Sequence, residues 1–428
     1  MLLALPAIAS NITIPLLGLC DTAITGHLGR TEYLAAIAAG STMLNVILWL
    51  CGFLRMGTTG LAATALGQRN RIAQSVVLLR AIAIAAIIGI GIVICSGPVM
   101  SLLLTLISPS ADSAPYAAEY FMICSKGIPP LLITLSINGW LIGMQNTVIP
   151  MAVSISMNVI NVAGSLIAVF LLKQGLMGVA YGTLTANWLS LIIAIALLAG
   201  FIRGKGFKFR TSYILRGGGF RKFFYVSLEL FLRSTCIMAV STAVTSCGAR
   251  MGDLTLAANA VTMQFFFFFS YVMDGFAFAG EALTGESAGA ADGATLRRSI
   301  RALLIWSTGV ACIFLLIYLC GARSIINLLT DIPAVREACH SLLTVILLIP
   351  VVSFAAFILD GLFIGFTATR RMLFTTLAAS LIFAAVILSA PLSNMFLWTA
   401  FLLYLFSRGV GLSLQLPALL KKYPVSPD

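Results

Sequence analysis

Several acidic side chains stand inside long apolar stretches of this chain: Asp21, Glu229, Asp274, Glu281 and Asp360. A charge within a membrane-spanning helix costs about 2.5–3.5 kcal/mol on insertion scales, so such residues pair with one another or mark ion and substrate paths. Arg55, Lys126, Arg233 and Arg408 are the basic counterparts in the same stretches. Glu229 and Arg233 are four apart, which predicts a local ion pair on one helix. Asp274 and Glu281 are seven apart and share a helix face. With Asp360 and Glu229 they make a candidate ion or substrate site in the second half of the chain, with Arg55, Arg233 and Arg408 as intramembrane basic partners.

Asp21 differs from these. It has no basic residue within a helical turn, and Pro6 and Pro15 precede it on the same helix. Each proline removes a backbone donor and favours a kink. Desolvation penalises an anion, so a carboxyl group in a poorly solvated cavity takes up and releases protons near physiological pH. Protonation beside a bendable helix would bias a bistable element. Asp21 is therefore the candidate proton-coupling residue. Asn158 and Asn161 stand on the fifth apolar stretch, either as glue between helices or as a hydrogen-bond network with Asp21.

No other chemistry competes. Only His27 and His340 are present, both expected near helix ends on the outer face, and there is no HExxH, GxSxG or P-loop string. The nine cysteines include no CxxC pair and read as buried thiols. The sequence thus predicts no metal centre, no disulfide framework, no cofactor and no enzyme.

The elements that must hold these residues are helices in a bilayer. Hydrophobic residues make up 60% of the chain and charged residues 9%. A hydrocarbon core takes about 20 apolar residues per crossing. Apolar stretches fall near 2–24, 35–61, 77–104, 116–142, 148–172, 177–201, 223–248, 256–282, 300–321, 338–362, 373–391 and 396–417, which predicts about twelve helices. The runs do not alternate as barrel strands must. The first lacks a basic n-region and exceeds the roughly 7–15 residues of a signal-peptide core, so it reads as a retained helix. Met1 falls almost at its start, which leaves room for a longer basic N-terminus.

The net charge of +12 is not a nucleic-acid signal. Arg69, Arg71 and Arg80 are expected in one loop. Arg203, Lys205, Lys208, Arg210, Arg216, Arg221 and Lys222 fill another. Arg297, Arg298, Arg301, Arg370, Arg371, Lys421 and Lys422 complete the set. All fall in even-numbered loops or the C-terminus, while odd-numbered loops hold only Arg30, Lys173, Arg250, Arg323 and Arg336. This asymmetry predicts cytoplasmic termini and contact with anionic lipid.

The chain also repeats itself. Leu34-Ala35-Ala36 and Ala38 recur as Leu256-Ala257-Ala258 and Ala260, an offset of 256 − 34 = 222. Gly139, Ile142, Gly143 and Thr147 recur as Gly361, Ile364, Gly365 and Thr369 at the same offset. Gly26/Gly248, Leu61/Leu283 and Gly67/Gly289 keep it too. The offset spans an even number of helices, so the repeat is a parallel one. It predicts an N-terminal lobe over 1–202, a basic linker over 203–222 and a C-terminal lobe over 223–428. Two such bundles suit a transporter that rocks about a central cavity. The acids break the repeat: Asp274 and Asp360 match Gly52 and Asn138. Phe265 to Phe269 cover every side of a helix, so only one or two are expected to line a cavity.

Particular strings carry a family likeness. Asn11 to Ala23 (NITIPLLGLCDTA), Gly26-His27-Leu28-Gly29, Leu54 to Leu61 (LRMGTTGL), Leu232-Arg233-Ser234, Asp274 to Glu281 and Leu359 to Gly365 (LDGLFIG) resemble the DinF-like branch of the multidrug and toxic compound extrusion (MATE) family. The resemblance implies an all-α membrane protein of twelve transmembrane helices in two pseudo-symmetric six-helix lobes arranged as a V. It implies export of organic cations or other amphiphiles, drugs or metabolites, against inward protons or sodium. It assigns cation coupling to Asp21, with Asn158 in its network, and links coupling to bending of the first helix. The fifth helix lacks the further acid of some relatives, which argues against a multi-carboxylate relay. Asp360 resembles an acid of the sodium-coupled branches, whereas Glu229 matches loosely, so protons are favoured over sodium. A monomer in the bacterial inner membrane is expected. The alternative is a flippase for lipid-linked precursors, with Arg55, Arg233 and Arg408 holding a pyrophosphate.

Overall fold

The computed structural model describes residues 1–26, 31–207, 218–389 and 393–424. His27, Arg30, Lys208, Arg210 and Arg216, and half of the expected linker, lie outside the described residues. With no water in a bilayer core, a chain must satisfy its own backbone groups, and a helix does so within one segment. Among the described residues the regular structure is helical throughout.

The contacts divide the chain into two units, Met1–Phe224 and Tyr225–Asp428. In the first, α1 (Ala4–Gly26) carries Pro15 inside it. Helices α2 (Thr31–Cys51) and α3 (Phe53–Gly67) share one crossing, and α4 (Arg71–Ile94) precedes the shorter α5 (Ser96–Ile107). Helices α6 (Ala114–Ser125) and α7 (Ile128–Gly143) meet at 54°. The break falls at Lys126-Gly127, just before Pro129 and Pro130, which lack N–H groups and suit a helix start. Helix α8 (Val148–Leu166) ends in a π-helical turn over Ile167–Leu171, and α9 (Leu176–Ile202) closes the unit.

The second unit has α10 (Gly218–Arg250, starting within the expected linker), α11 (Asp253–Gly289), α12 (Gly293–Leu329), α13 (Pro333–Ser341), α14 (Leu343–Gly365), α15 (Thr369–Ser389) and α16 (Asn394–Leu420). Among the described residues ten helices are long and apolar enough to cross a membrane, eleven if the α6–α7 pair is one crossing. The 23-residue α1 also has the length of a crossing. As far as they are described, the apolar stretches each fall on one helix or on two consecutive ones: 35–61, 77–104, 116–142 and 338–362 are broken in two. Exposed apolar side chains such as Ile87, Ile94, Leu388 and Leu414 give the outer surface the character that lipid requires.

The repeat is visible atom by atom. In the first unit a Cβ on Gly139 would come within 2.5 Å of the Arg55 carbonyl oxygen, and one on Gly143 within 2.6 Å of that of Thr59. In the second, Gly361 and Gly365 stand in the same way against the carbonyls of Ala277 and Glu281. Both partners keep the offset (277 − 55 = 222, 281 − 59 = 222). Only glycine lets α3 approach α7, and α11 approach α14, so closely. The turns repeat as well. Arg69 and Ala291 are left-handed, as are Gln145 and Thr367. Asn70 caps α4 by accepting from the Ala73 N–H, and Asp292 caps α12 by accepting from that of Thr295. One correction follows: Arg80, expected in a loop, is buried inside α4, because Asn70 starts that helix early.

Candidate functional site

In the first unit, Asp21 stands five residues before the end of α1 and is 9% exposed. Its Oδ1 is buried without a hydrogen-bond partner. Among the described residues no cation forms an ion pair with it. The Thr25 hydroxyl donates to its main-chain carbonyl at 2.7 Å, which ties the last turn without engaging the carboxyl. Helix α8 packs on α1, yet neither amide reaches the carboxyl. Asn158 Nδ2 donates to the Thr13 carbonyl of α1 at 3.3 Å, two residues before Pro15. Asn161 Nδ2 donates to Thr183 Oγ1 of α9 at 3.0 Å. The network expected around Asp21 is therefore split between a tie to the proline segment and a tie between α8 and α9. Tyr120 and Cys124 of α6 are buried and lie within electrostatic reach of Asp21. Tyr120 also stands beside Ser41 and Thr183. Nothing in the spacing pointed to this tyrosine, since an aromatic on an apolar helix reads as core.

In the second unit the predicted local pair is corrected. Arg233 of α10 turns away from Glu229 and donates through Nη2 to Asp360 Oδ2 of α14. Arg408 of α16 donates to the same oxygen at 2.5 Å. Glu229 instead accepts from the Thr369 hydroxyl at the start of α15. The reason is burial. Asp360 is 7% exposed, and a carboxylate there demands compensation more strongly than half-buried Glu229 does. Asp274 and Glu281 both lie on α11, the first half-buried and the second 1% exposed. Arg55 on α3 is half-buried, whereas Lys126 is exposed at the α6–α7 break. Of the phenylalanine run, Phe265 and Phe269 are core, Phe268 is exposed, and Phe266 packs on Phe357 and Phe401. No group of three or more His, Cys, Asp or Glu among the described residues could hold a metal ion.

The MatE family model matches residues 6–167 and again 230–388, once in each unit. The chain belongs to the multidrug and toxic compound extrusion (MATE) family. Its DinF-like character is equally plain: it is 34% identical to the DNA damage-inducible protein F of Escherichia coli K12 over 96% of this chain and 90% of that protein. A probable multidrug resistance protein NorM of Halalkalibacterium halodurans is 23% identical over 68% of this chain and 64% of its own length. Among solved structures, an outward-facing multidrug resistance MATE family transporter of the MOP superfamily superposes with a TM-score of 0.84 at 17% identity, covering 98% of this chain and 95% of that one. A MATE in the bent conformation gives 0.85 at 17% identity with the same coverage. The chain thus has the MATE fold of two repeated helical bundles, and it is a multi-pass membrane transporter.

Proposed function

We propose that this MATE transporter is a proton-coupled antiporter of the bacterial inner membrane, exporting small amphiphilic drugs or metabolites, organic cations among them, by alternating access. Asp21 is the coupling residue. The observation that carries this reading is a buried carboxyl with one oxygen unpartnered and, among the described residues, no cation paired to it. Such a group exchanges a proton without first breaking an ion pair. Relatives described as multidrug resistance proteins support the substrate class, and solved MATE structures described as bent and straight support a conformational cycle.

Sodium coupling through the second unit is disfavoured by the surroundings of Asp360. Two guanidiniums already share that carboxylate, so a sodium ion binding it would face two cations at short range in low dielectric. The flippase alternative needs arginines open to a groove, but Arg233 and Arg408 are buried and engaged. The uneven distribution of basic residues supports cytoplasmic termini, and a monomer in the lipid bilayer is the form this reading takes. In cells, Asp21→Asn should leave membrane expression intact and remove the resistance that the wild type confers. Resistance equal to wild type would contradict the assignment.

A further inference from the structure

One end of the first unit gathers cations and has no acid of its own. Arg69 and Arg71 stand where α3 gives way to α4, and Arg203 and Lys205 follow α9; all four are exposed. No Asp or Glu occurs between Glu32 and Asp112, nor between Glu119 and Glu229, so none stands on α3, α4, α7, α8 or α9. These elements meet at that end, where Leu66 of α3, Met144 and Ile149 beside the α7–α8 turn, and Ile202 and Phe207 pack into one apolar cluster. The matching turn of the second unit differs. Asp292 stands there in place of Asn70 (292 − 70 = 222), and Arg298 lies within electrostatic reach of it.

Two of the four cations are held on a platform of aromatic rings. The chain leaves α9 through Gly204 and Gly206, at φ 75° and 69°, a left-handed conformation that favours glycine. This reversal seats the Phe207 ring 5.5 Å from that of buried Trp140, which Phe201 meets at 6.1 Å. Trp140 is itself fixed, because its Nε1–H donates to the Gln74 carbonyl of α4 at 2.8 Å. The Arg71 guanidinium lies 5.1 Å from the Phe207 centroid, and the Lys205 ammonium 3.3 Å from that of Phe201. An aromatic face orients a cation and leaves its remaining N–H groups able to donate. Arg71 and Ile202 are the end residues of two crossings, Arg71–Ile94 and Leu176–Ile202. The cations therefore stand at the depth of phospholipid headgroups, and the exposed Ile72 beside Arg71 gives an acyl chain an apolar surface.

We propose that Arg71 and Lys205, with Arg69 and Arg203 beside them, bind the phosphodiester headgroup of an anionic phospholipid. Charge asymmetry alone implies diffuse attraction to a membrane surface; the ring platform and the absence of any acid on these helices make a site of it. The inference is independent of what the protein exports and of the ion that drives export.

Native mass spectrometry of the purified full-length protein in detergent tests this, with dioleoyl phosphatidylglycerol or dioleoyl phosphatidylcholine added at equal concentration. The wild type should retain phosphatidylglycerol and not phosphatidylcholine. Arg71→Gln combined with Lys205→Gln removes two exposed charges, so the lipid-free melting midpoint should stay within a few degrees of wild type. Its affinity for phosphatidylglycerol should fall roughly tenfold or more. Phe207→Leu keeps every charge and should still weaken binding severalfold, which separates a built site from diffuse attraction. Arg297→Gln combined with Arg298→Gln removes as much charge from the second unit and should change binding less than twofold. Equal retention of the two lipids, wild-type binding by Phe207→Leu, or equal losses in the two double variants would overturn the proposal. Excess inorganic phosphate should not displace the lipid; displacement would reassign the site to free phosphate and overturn it as well.

Discussion

Asp21 and Asp360 are both buried carboxylates, and their neighbours give them opposite characters. Asp360 is held by two guanidiniums on two other helices, while Asp21 has no ion-pair partner among the described residues. Removing Asp360 leaves two buried cations facing each other. Asp360→Ala should therefore cost about 3–5 kcal/mol, read as a large drop in the melting midpoint of the purified protein. Glu229→Gln keeps an acceptor for the Thr369 hydroxyl and should cost far less. Similar losses for the two variants would show that the triad carries no special weight. The residue types were legible in the sequence, because charges in apolar stretches are rare. Their partners were not. Four-residue spacing paired Glu229 with Arg233, but spacing along one helix says nothing of an acid on another. Tyr120 and Thr369 were missed for the same reason.

At the scale of elements, glycine contacts and helix caps repeat between the units, and both are open to test. Gly139→Leu and Gly361→Leu would each force a side chain into a facing carbonyl. Each should destabilise its own unit by about 1–3 kcal/mol or more, and the two losses should be alike. A tolerated substitution at either position would contradict the close approach. The caps differ in chemistry. The Thr295 hydroxyl and then its backbone N–H hold the Asp292 carboxyl below the usual carboxylate range. A lowered folded value means that the cap's contribution is complete above the ordinary carboxylate range and is lost as pH falls through the lowered value. The amide cap of Asn70 does not titrate. Hydrogen exchange in acid should therefore accelerate at the start of α12 and not at the start of α4; equal behaviour would refute the capping difference. The helical crossings were legible, since length and hydropathy decide a crossing, with ten or eleven such spans among the described residues against the twelve expected. Their breaks were less so. Pro129 and Pro130 announce the α6–α7 bend only in hindsight, and α11 and α12 run 37 residues each, about 55 Å, beyond their apolar cores.

At the scale of the whole molecule, duplication supplies the scaffold and departures from it supply the chemistry. Offset-related glycines, turns and caps build both units. Asp21 corresponds to Ala243 and Asp360 to Asn138, so neither carboxylate has an acidic counterpart. The repeat and the family strings were readable from the chain, while the split of the acids into one unpaired and one over-neutralised group was not, because it depends on packing. On the proposed topology the basic segment 203–222 orients the protein. Replacing its cations with acids should disturb insertion, as cysteine accessibility would report, and a normal topology would count against cytoplasmic termini. The most direct measurement of the central claim is efflux of a fluorescent lipophilic cation from proteoliposomes under an inward proton gradient or an inward sodium gradient, with Asp21→Asn alongside. Efflux on the proton gradient alone, lost in the variant, is the result predicted for coupling through Asp21. Efflux that needs sodium, or that survives in Asp21→Asn, would contradict it.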